Sequence, residues 1–526
     1  MTRELRGVGE SMAQANHSVD KVHALQRALY VAAKRNGQRR FHALYDRMAR
    51  PDLLGCAWQQ VRRNKGAAGI DGETIADVEA MGESEMLAEL CGLLETGRYR
   101  PQAVRRVHIP KPGKPKERRP LGIPRVRDRV VQTAAKLVLE PLFEASFRPC
   151  SYGFRPKRNA HQALECIRKE VNNGARWVVE VDFADFFGSL DPDLLLRLVG
   201  RRVSDRRVLR LIRMWLKAGV MEDGVYRAST LGVPQGGTIS PLLANIYGHA
   251  LDALFEKEAG HLGKVVRYAD DLVILCRTES DAQLAYQWLE RRAHGLHLKL
   301  HPGKTRIVNL AGGEEGFDFL GFHLRLVKSR RYGKYFCQRW PSRTAMARMR
   351  AAVKAITASR SRLKCPIQVL VRELNPVLRG WGNYFRGATR PGSSPASTAT
   401  SKNDWRSSIA RNASVQDGAG GLCIPTPGCK VWACTTSTGR SVMADDRDSD
   451  HVNTVGEPDE GKPHVRFDEG RLARCSAGPV AYSTDPSSTS AAIDGVQSPE
   501  HRSSRDRSIA YQGSGQRALE LSLIHI

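Results

Sequence analysis

Apolar positions recur at threes and fours through Val22, Leu25, Leu29 and Ala32, the spacing of one buried face of an α-helix. The same spacing predicts two further helices, one around Phe41, Leu44 and Met48 and one from Leu53 to Val61. Residues 1–18 lack that period and read as a loose leader. The run Asn-Lys-Gly-Ala-Ala-Gly-Ile-Asp-Gly at 64–72 fits neither helix nor strand and is predicted as a glycine-punctuated loop. Its small residues permit close backbone approach to another surface, and a plain connector explains them equally well.

From Arg100 to Arg129 the chain is dense in Pro, Lys and Arg. Two short strands, at 107–110 and 118–124, flank a turn at 111–116, so a basic hairpin is expected, with its prolines confining it to a sheet edge. A helix should follow from Arg127 to about Phe143, its face built by Val130, Val131, Ala134, Leu137 and Val138. A β-branched strand at 177–183 ends near Asp182. At 265–275 two apolar arms flank Asp270 and Asp271, the pattern of a hairpin with two carboxylates at its tip. Helices are predicted at 193–199, 206–216, 241–256, 343–356 and 367–384. Antiparallel strands mixed with helices give an α+β architecture.

Composition changes this picture mainly through where charge lies. The 526 residues carry 82 Lys+Arg against 55 Asp+Glu. Residues 391–526 hold only 14 of the bases and 16 of the acids, leaving 68 against 39 on residues 1–390, a net of +29. That excess on the patterned part of the chain suits a polyanion, since each neutralised phosphate releases condensed counterions. In the last 136 residues apolar periodicity ends and 30 residues are Ser or Thr, so no packed core is expected there. No run approaches the ~18 apolar residues that span a bilayer. The N-terminus lacks signal-peptide order, and the cysteines up to Cys365 stand singly. A cytoplasmic protein that avoids membranes is expected. Cys423, Cys429 and Cys434 cluster, but without the spacing of a zinc site.

Carboxylates at strand ends are costly unless a cation joins them. Asp182, Asp270 and Asp271 come from two strand segments of a basic chain, which fits divalent cations such as Mg²⁺ bound together with phosphate oxygens. Two such ions about 4 Å apart serve in-line phosphoryl transfer. An Asp-Asp pair alone is more often a solvated turn, and successive strand residues face opposite ways, so Asp270 is the stronger candidate unless the tip breaks the alternation.

The segment Arg267-Tyr268-Ala269-Asp270-Asp271 resembles the Y-x-D-D signature of reverse transcriptases, and its surroundings resemble group II intron-encoded reverse transcriptases, the maturases. The helices before residue 64 and the 64–72 loop resemble that family's N-terminal extension. Ile109-Pro110-Lys111 and Arg119-Pro120-Leu121-Gly122-Ile123-Pro124 resemble its fingers, and Ser151-Tyr152-Gly153-Phe154-Arg155-Pro156 the following block. The palm blocks are matched by 181–187, by Gly232-Val233-Pro234-Gln235-Gly236-Gly237 with Ser240-Pro241-Leu242, by Leu298-Lys299-Leu300-His301 to Lys304-Thr305, and by Phe319-Leu320-Gly321-Phe322. Leu374-Asn375-Pro376 with Gly380-Trp381-Gly382-Asn383-Tyr384-Phe385 resembles the start of the maturase thumb. The order and spacing of these blocks carry the resemblance, from about residue 20 to 388.

The resemblance implies a right-hand polymerase fold with fingers, palm, a partial helical thumb and a disordered C-terminal tail. It implies that Asp182 and Asp270 ligate two Mg²⁺ ions, with Asp271 beside them and the Phe183 carbonyl as a further ligand. Lys111 and Arg119 would hold the triphosphate, and Gln235 would lie near the nucleotide's sugar and base. Phe187 falls where the family places a steric gate against a ribose 2′-hydroxyl, though a bulky aromatic there also serves as plain core. The implied partners are an RNA template, including group II intron RNA, a DNA primer and dNTPs. The implied organisation is a leader at 1–19, an N-terminal extension at 20–75, fingers and palm at 76–330, the start of the thumb at 331–390 and a low-complexity tail at 391–526. Full-length relatives continue the thumb with basic helices, whereas this chain passes into the Ser/Thr-rich tail, as a frameshifted or truncated gene would. Two alternatives compete with an RNA-directed DNA polymerase: a non-enzymatic intron-binding splicing factor, and a domesticated bacterial reverse transcriptase of retron or defence type.

Overall fold

The computed structural model describes residues 2–111, 114–228, 232–233, 235–329, 333–358, 362 and 365–388, with an isolated antiparallel ladder between Ala433–Thr435 and Ser441–Met443. The rest of the expected 391–526 tail lies outside the described residues.

The elements up to residue 95 are all helices. Helix α1 spans Thr2–Arg35, so regular structure begins where a loose leader was expected. Then come α2 (Tyr45–Met48), α3 (Pro51–Arg63), α4 (Ile75–Met81) and α5 (Glu83–Glu95). Helix α3 starts with Pro at its first turn and ends in Arg62 and Arg63, both placements favoured by helix geometry and dipole. Its buried stripe of Leu53, Leu54, Ala57, Trp58 and Val61 packs toward α6 (Val126–Glu144), which is itself buried on nearly every side. Thr74 and Asp77 form a reciprocal capping box that starts α4.

Strands β1 (Val104–Lys111) and β2 (Lys114–Ile123) form the expected basic hairpin. Strand β2, carrying Pro115 and Pro120, is the edge of a four-stranded sheet in which β1 also meets β4 (Val220–Glu222) at Val104 and Arg105, and β4 pairs with β5 (Val225–Arg227). Between the two hairpins run α7 (Ala160–Asn172), β3 (Trp177–Val181), α8 (Phe186–Ser189), α9 (Pro192–Gly200) and α10 (Arg206–Leu216).

The central sheet is built from β3, β6 (Lys264–Tyr268), β7 (Asp271–Cys276) and β8 (Arg306–Asn309), in the antiparallel order β6-β7-β3-β8. It is covered on both faces. Val179, Val181, Leu272 and Ile274 face the larger hydrophobic core, shared with α6 and α11 (Ser240–Glu258). Val178, Val266, Val273, Leu275 and Val308 face a second core with α7 and a three-stranded sheet of β9 (Gly316–Phe319), β10 (Phe322–Lys328) and β11 (Tyr335–Pro341). Burial on both faces is why these strands carry apolar residues at successive positions, as in Val178-Val179, Val265-Val266 and Leu272 to Cys276. Helix α12 (Glu279–Gly295) closes one flank.

The expected boundary at 330/331 falls within the β10–β11 connection, because β11 completes the small sheet before α13 (Arg343–Thr357) begins the helical part. Helix α14 (Ile367–Phe385) meets α13 through Met349, Val353, Leu374 and Leu378. Its far end docks on the central body: the Tyr384 hydroxyl donates to the Leu320 carbonyl at 2.9 Å, and the Phe385 ring centroid lies 4.7 Å from that of Phe322.

Candidate active site

The β3–β7 ladder closes at Val181↔Leu272, so the next step along β3 carries Asp182 toward Asp271 at the start of β7. Beyond Asp182 the chain is sewn to a different segment. The His301 amide donates to the Asp182 carbonyl at 2.8 Å and the Ala184 amide to the Lys299 carbonyl at 2.8 Å. The Phe183 carbonyl takes no part in that pair of bonds. The Asp182 side chain is 34% exposed and forms an ion pair with the Lys304 ammonium.

Asp270 occupies the tip of the β6–β7 hairpin. Tyr268 pairs with Asp271, leaving Ala269 and Asp270 as a two-residue turn, with Ala269 at φ 58°. Positive φ at the first central position alone is the pattern of a type II′ turn. This settles the geometric objection raised by the sequence, because Asp270 belongs to the turn and Asp271 to the strand, so strict alternation does not apply between them. The segment carrying Gly153 runs beneath: the Tyr152 amide donates to the Arg267 carbonyl at 2.8 Å and the Arg267 amide to that of Cys150 at 2.8 Å. A Cβ on Gly153 would lie 2.4 Å from the Ala269 nitrogen, so only glycine fits under the turn.

The loop that includes Gln235 is clipped at two places. The Gly122 amide at the end of β2 donates to the Gln235 carbonyl at 2.6 Å, while the Gly232 and Val233 amides donate to the Leu190 and Phe187 carbonyls at 2.9 and 2.8 Å. Gly236, at φ 114°, lies so close to β2 that a Cβ would come 2.4 Å from the Gly122 oxygen. Gln235 and Phe187 are half-buried, and Phe187 stacks edge-on against Phe186 at 5.9 Å. Arg119 is exposed on β2 opposite Ile109. Lys111 ends the described part of β1, and its side chain, like Pro234, lies outside the described residues.

The donor set consists of hard oxygens: the Asp182 carboxylate, already drawing a cation in Lys304, and the two acids of the turn. Among the described residues no group of three or more His, Cys, Asp or Glu side chains converges closely enough to cage a metal. Mg²⁺ can bind through one or two carboxylates and complete its shell with water and substrate phosphates, so the fit rests on the hard-oxygen chemistry of these acids and not on a closed cage.

Sequence reasoning missed what lies under the turn. Arg267, Asn245 and Asp252 are buried, the last two on the largely apolar buried part of α11, seven residues apart and hence on one face. A buried polar pair at that spacing is a signal the sequence did carry. Burial works against the Arg267 charge, but the adjoining Asp252 carboxylate outweighs it and holds the guanidinium pKa above its ordinary value.

Residues 109–324 match the family described as reverse transcriptase (RNA-dependent DNA polymerase), and residues 346–395 match the group II intron, maturase-specific domain. Protein YkfC of Escherichia coli K12 is 33% identical over 350 residues, covering 59% of this chain and 90% of that protein. The group II intron-encoded protein LtrA of Lactococcus lactis is 42% identical over 213 residues, covering 40% of this chain and 35% of LtrA. Nuclear intron maturase 1 of Arabidopsis thaliana is 38% identical over 94 residues, 18% of this chain and 13% of that protein. Among the described residues no helix is long and apolar enough to cross a membrane.

Proposed function

The chain belongs to the group II intron-encoded reverse transcriptases and maturases, and from that membership we propose that it is an RNA-directed DNA polymerase that extends a DNA primer with dNTPs on an RNA template. What supports this reading is the β3–β7 pairing, which carries Asp182 at the end of β3 alongside the Asp270–Asp271 tip of the central sheet, with a Gln235 loop tied to the basic hairpin.

In this reading the primer 3′-hydroxyl attacks the α-phosphate of the dNTP and pyrophosphate leaves. Mg²⁺, when bound, neutralises the charge that develops on the attacking and leaving oxygens. Asp182, Asp270 and Asp271 supply its carboxylate oxygens, and the Phe183 carbonyl adds another. Lys111 and Arg119 grip the triphosphate, the guanidinium through its planar fork and the ammonium as a point charge. Gln235 contacts the nucleotide near its sugar and base. The Phe187 ring stands against a ribose 2′-hydroxyl and selects deoxynucleotides. The basic surface of residues 1–390 follows the backbone of an A-form hybrid and reads its shape. The maturase-specific match at 346–395 supports a second role, binding of group II intron RNA.

Primer extension on an RNA template with dNTPs and Mg²⁺, comparing the native chain with Asp270→Ala, tests the first role. Extension by the native chain and its loss in the variant are expected. Native protein that binds intron RNA yet never extends a primer would replace this reading with that of a non-enzymatic splicing factor.

A further inference from the structure

Arg267 is the anomaly of the central sheet: a charged side chain, 1% exposed, in a strand whose other buried positions are Val265 and Val266. A guanidinium so placed must have its donors matched. Its Nε and Nη2 donate to the two carboxylate oxygens of Asp252 at 2.8 and 2.6 Å. Its Nη1 donates to Asn245 Oδ1 at 3.1 Å and to the Ala269 carbonyl at 2.9 Å. Asn245 in turn donates from Nδ2 to the Gly153 carbonyl at 2.8 Å. Gly248, on the same face of α11, makes room for this, since a Cβ there would sit 2.8 Å from Arg267 Cζ.

The bond to the Ala269 carbonyl has a particular consequence. That oxygen belongs to the peptide plane whose nitrogen is that of Asp270, so holding it sets the orientation of the peptide from which Asp270 departs. Ala269 is held at φ 58°, a conformation that an L-residue with a Cβ keeps only when its surroundings over-determine it. Here Arg267 bonds its carbonyl, and Gly153 packs so close to its nitrogen that no side chain is admitted there.

We propose that Arg267, aimed by Asp252 and Asn245, is a positioning residue that sets the Asp270 carboxylate for divalent-cation binding. The proposal rests on the polymerase reading above and adds to it the part of the molecule that sets the geometry of the turn.

The test uses the full chain and two substitutions that disturb the turn at different atoms, the Ala269 carbonyl and the Ala269 nitrogen. Arg267→Lys keeps a positive charge opposite Asp252, but a single ammonium does not reproduce the fork that reaches both Asp252 and Ala269. Gly153→Ala leaves the buried ion pair intact and pushes on the Ala269 nitrogen. Mn²⁺ binding is followed by electron paramagnetic resonance without substrate, and the Mg²⁺ dependence of primer extension is measured separately. Both variants should weaken Mn²⁺ binding and raise the Mg²⁺ concentration for half-maximal extension by roughly tenfold or more, with native far-UV circular dichroism and native affinity for an RNA–DNA hybrid. A purely structural role would lower the melting temperature and leave both metal readouts at native values, and that result overturns the proposal. If Arg267→Lys fails to fold, Asn245→Leu, which removes a partner that aims Arg267 Nη1 and keeps the Asp252 pair, takes its place and is read in the same way. A native chain that binds Mn²⁺ without extending primers counts against the polymerase reading and leaves the positioning question to the Mn²⁺ titration.

Discussion

Two hairpins carry the proposed chemistry, and they are built in opposite ways. The β6–β7 hairpin lies between two hydrophobic cores, ends in a two-residue turn and is clamped by a buried ion pair between Arg267 and Asp252. The β1–β2 hairpin runs along a sheet edge, with Arg118 and Arg119 exposed. The difference follows the tolerance of each task. Mg²⁺ demands near-ideal octahedral geometry, so its carboxylates need a rigid mount. Long cations meeting a triphosphate need only reach and charge, which an exposed edge provides.

The sharpest way to break the comparison is at the rigid end. Asp182→Ala should cut primer extension on the order of 10³-fold, the scale of losing a group that stabilises transition-state charge, with hybrid affinity unchanged. A loss below about tenfold would remove Asp182 from the reacting centre.

The rigid hairpin's surroundings also predict a pH dependence. His249, edge-on to Phe147 at 5.5 Å, is half-buried with its Nδ1 shut off from solvent, and desolvation pushes its pKa down from 6.5 to about 4. The unfolded chain therefore takes up this proton first as pH falls. Stability should be intact above about pH 6.5 and decline as pH drops toward about 4, by at most ~3 kcal/mol. Urea midpoints between about pH 7 and about pH 4.5 measure this, and His249→Leu should flatten the decline. An equal slope in the variant would assign the loss to other groups.

Phe187 stands between the two hairpins, its carbonyl bonded to Val233 in the loop that reaches β2. Phe187→Ala should lower discrimination between dNTPs and rNTPs by roughly 10–200-fold, the range for one steric contact. Unchanged discrimination with reduced melting temperature would make the ring plain core. At the permissive end, Arg119→Ala should raise the dNTP KM by roughly tenfold, the size of one charge-assisted contact, with little change in kcat. A dominant fall in kcat would mean that the edge hairpin positions as tightly as the turn.

Much of the fold was legible because its period was local. The stripe through Leu53, Leu54, Ala57 and Val61, the apolar arms around Asp270 and the prolines of β2 each imposed an element that formed where expected. The missed parts were of another kind. The helical start at Thr2 appeared where no apolar period announced it. The extent of the small sheet through Pro341 depends on β11 finding β10 across a connection, a pairing that no local pattern encodes.

Which residue types are available for chemistry, and in what order, is written along the chain: acids at the ends of apolar runs, cations on a proline-rich hairpin, glycines where backbones must touch. How they are aimed follows from packing. The type II′ geometry at Ala269, the glycine under it and the Arg267 clamp bring together residues 153, 245, 252 and 267 from three separate segments. A buried charge is satisfied by whatever the fold places within hydrogen-bond reach. That reach is a property of packed distances, which spacing along a chain does not specify.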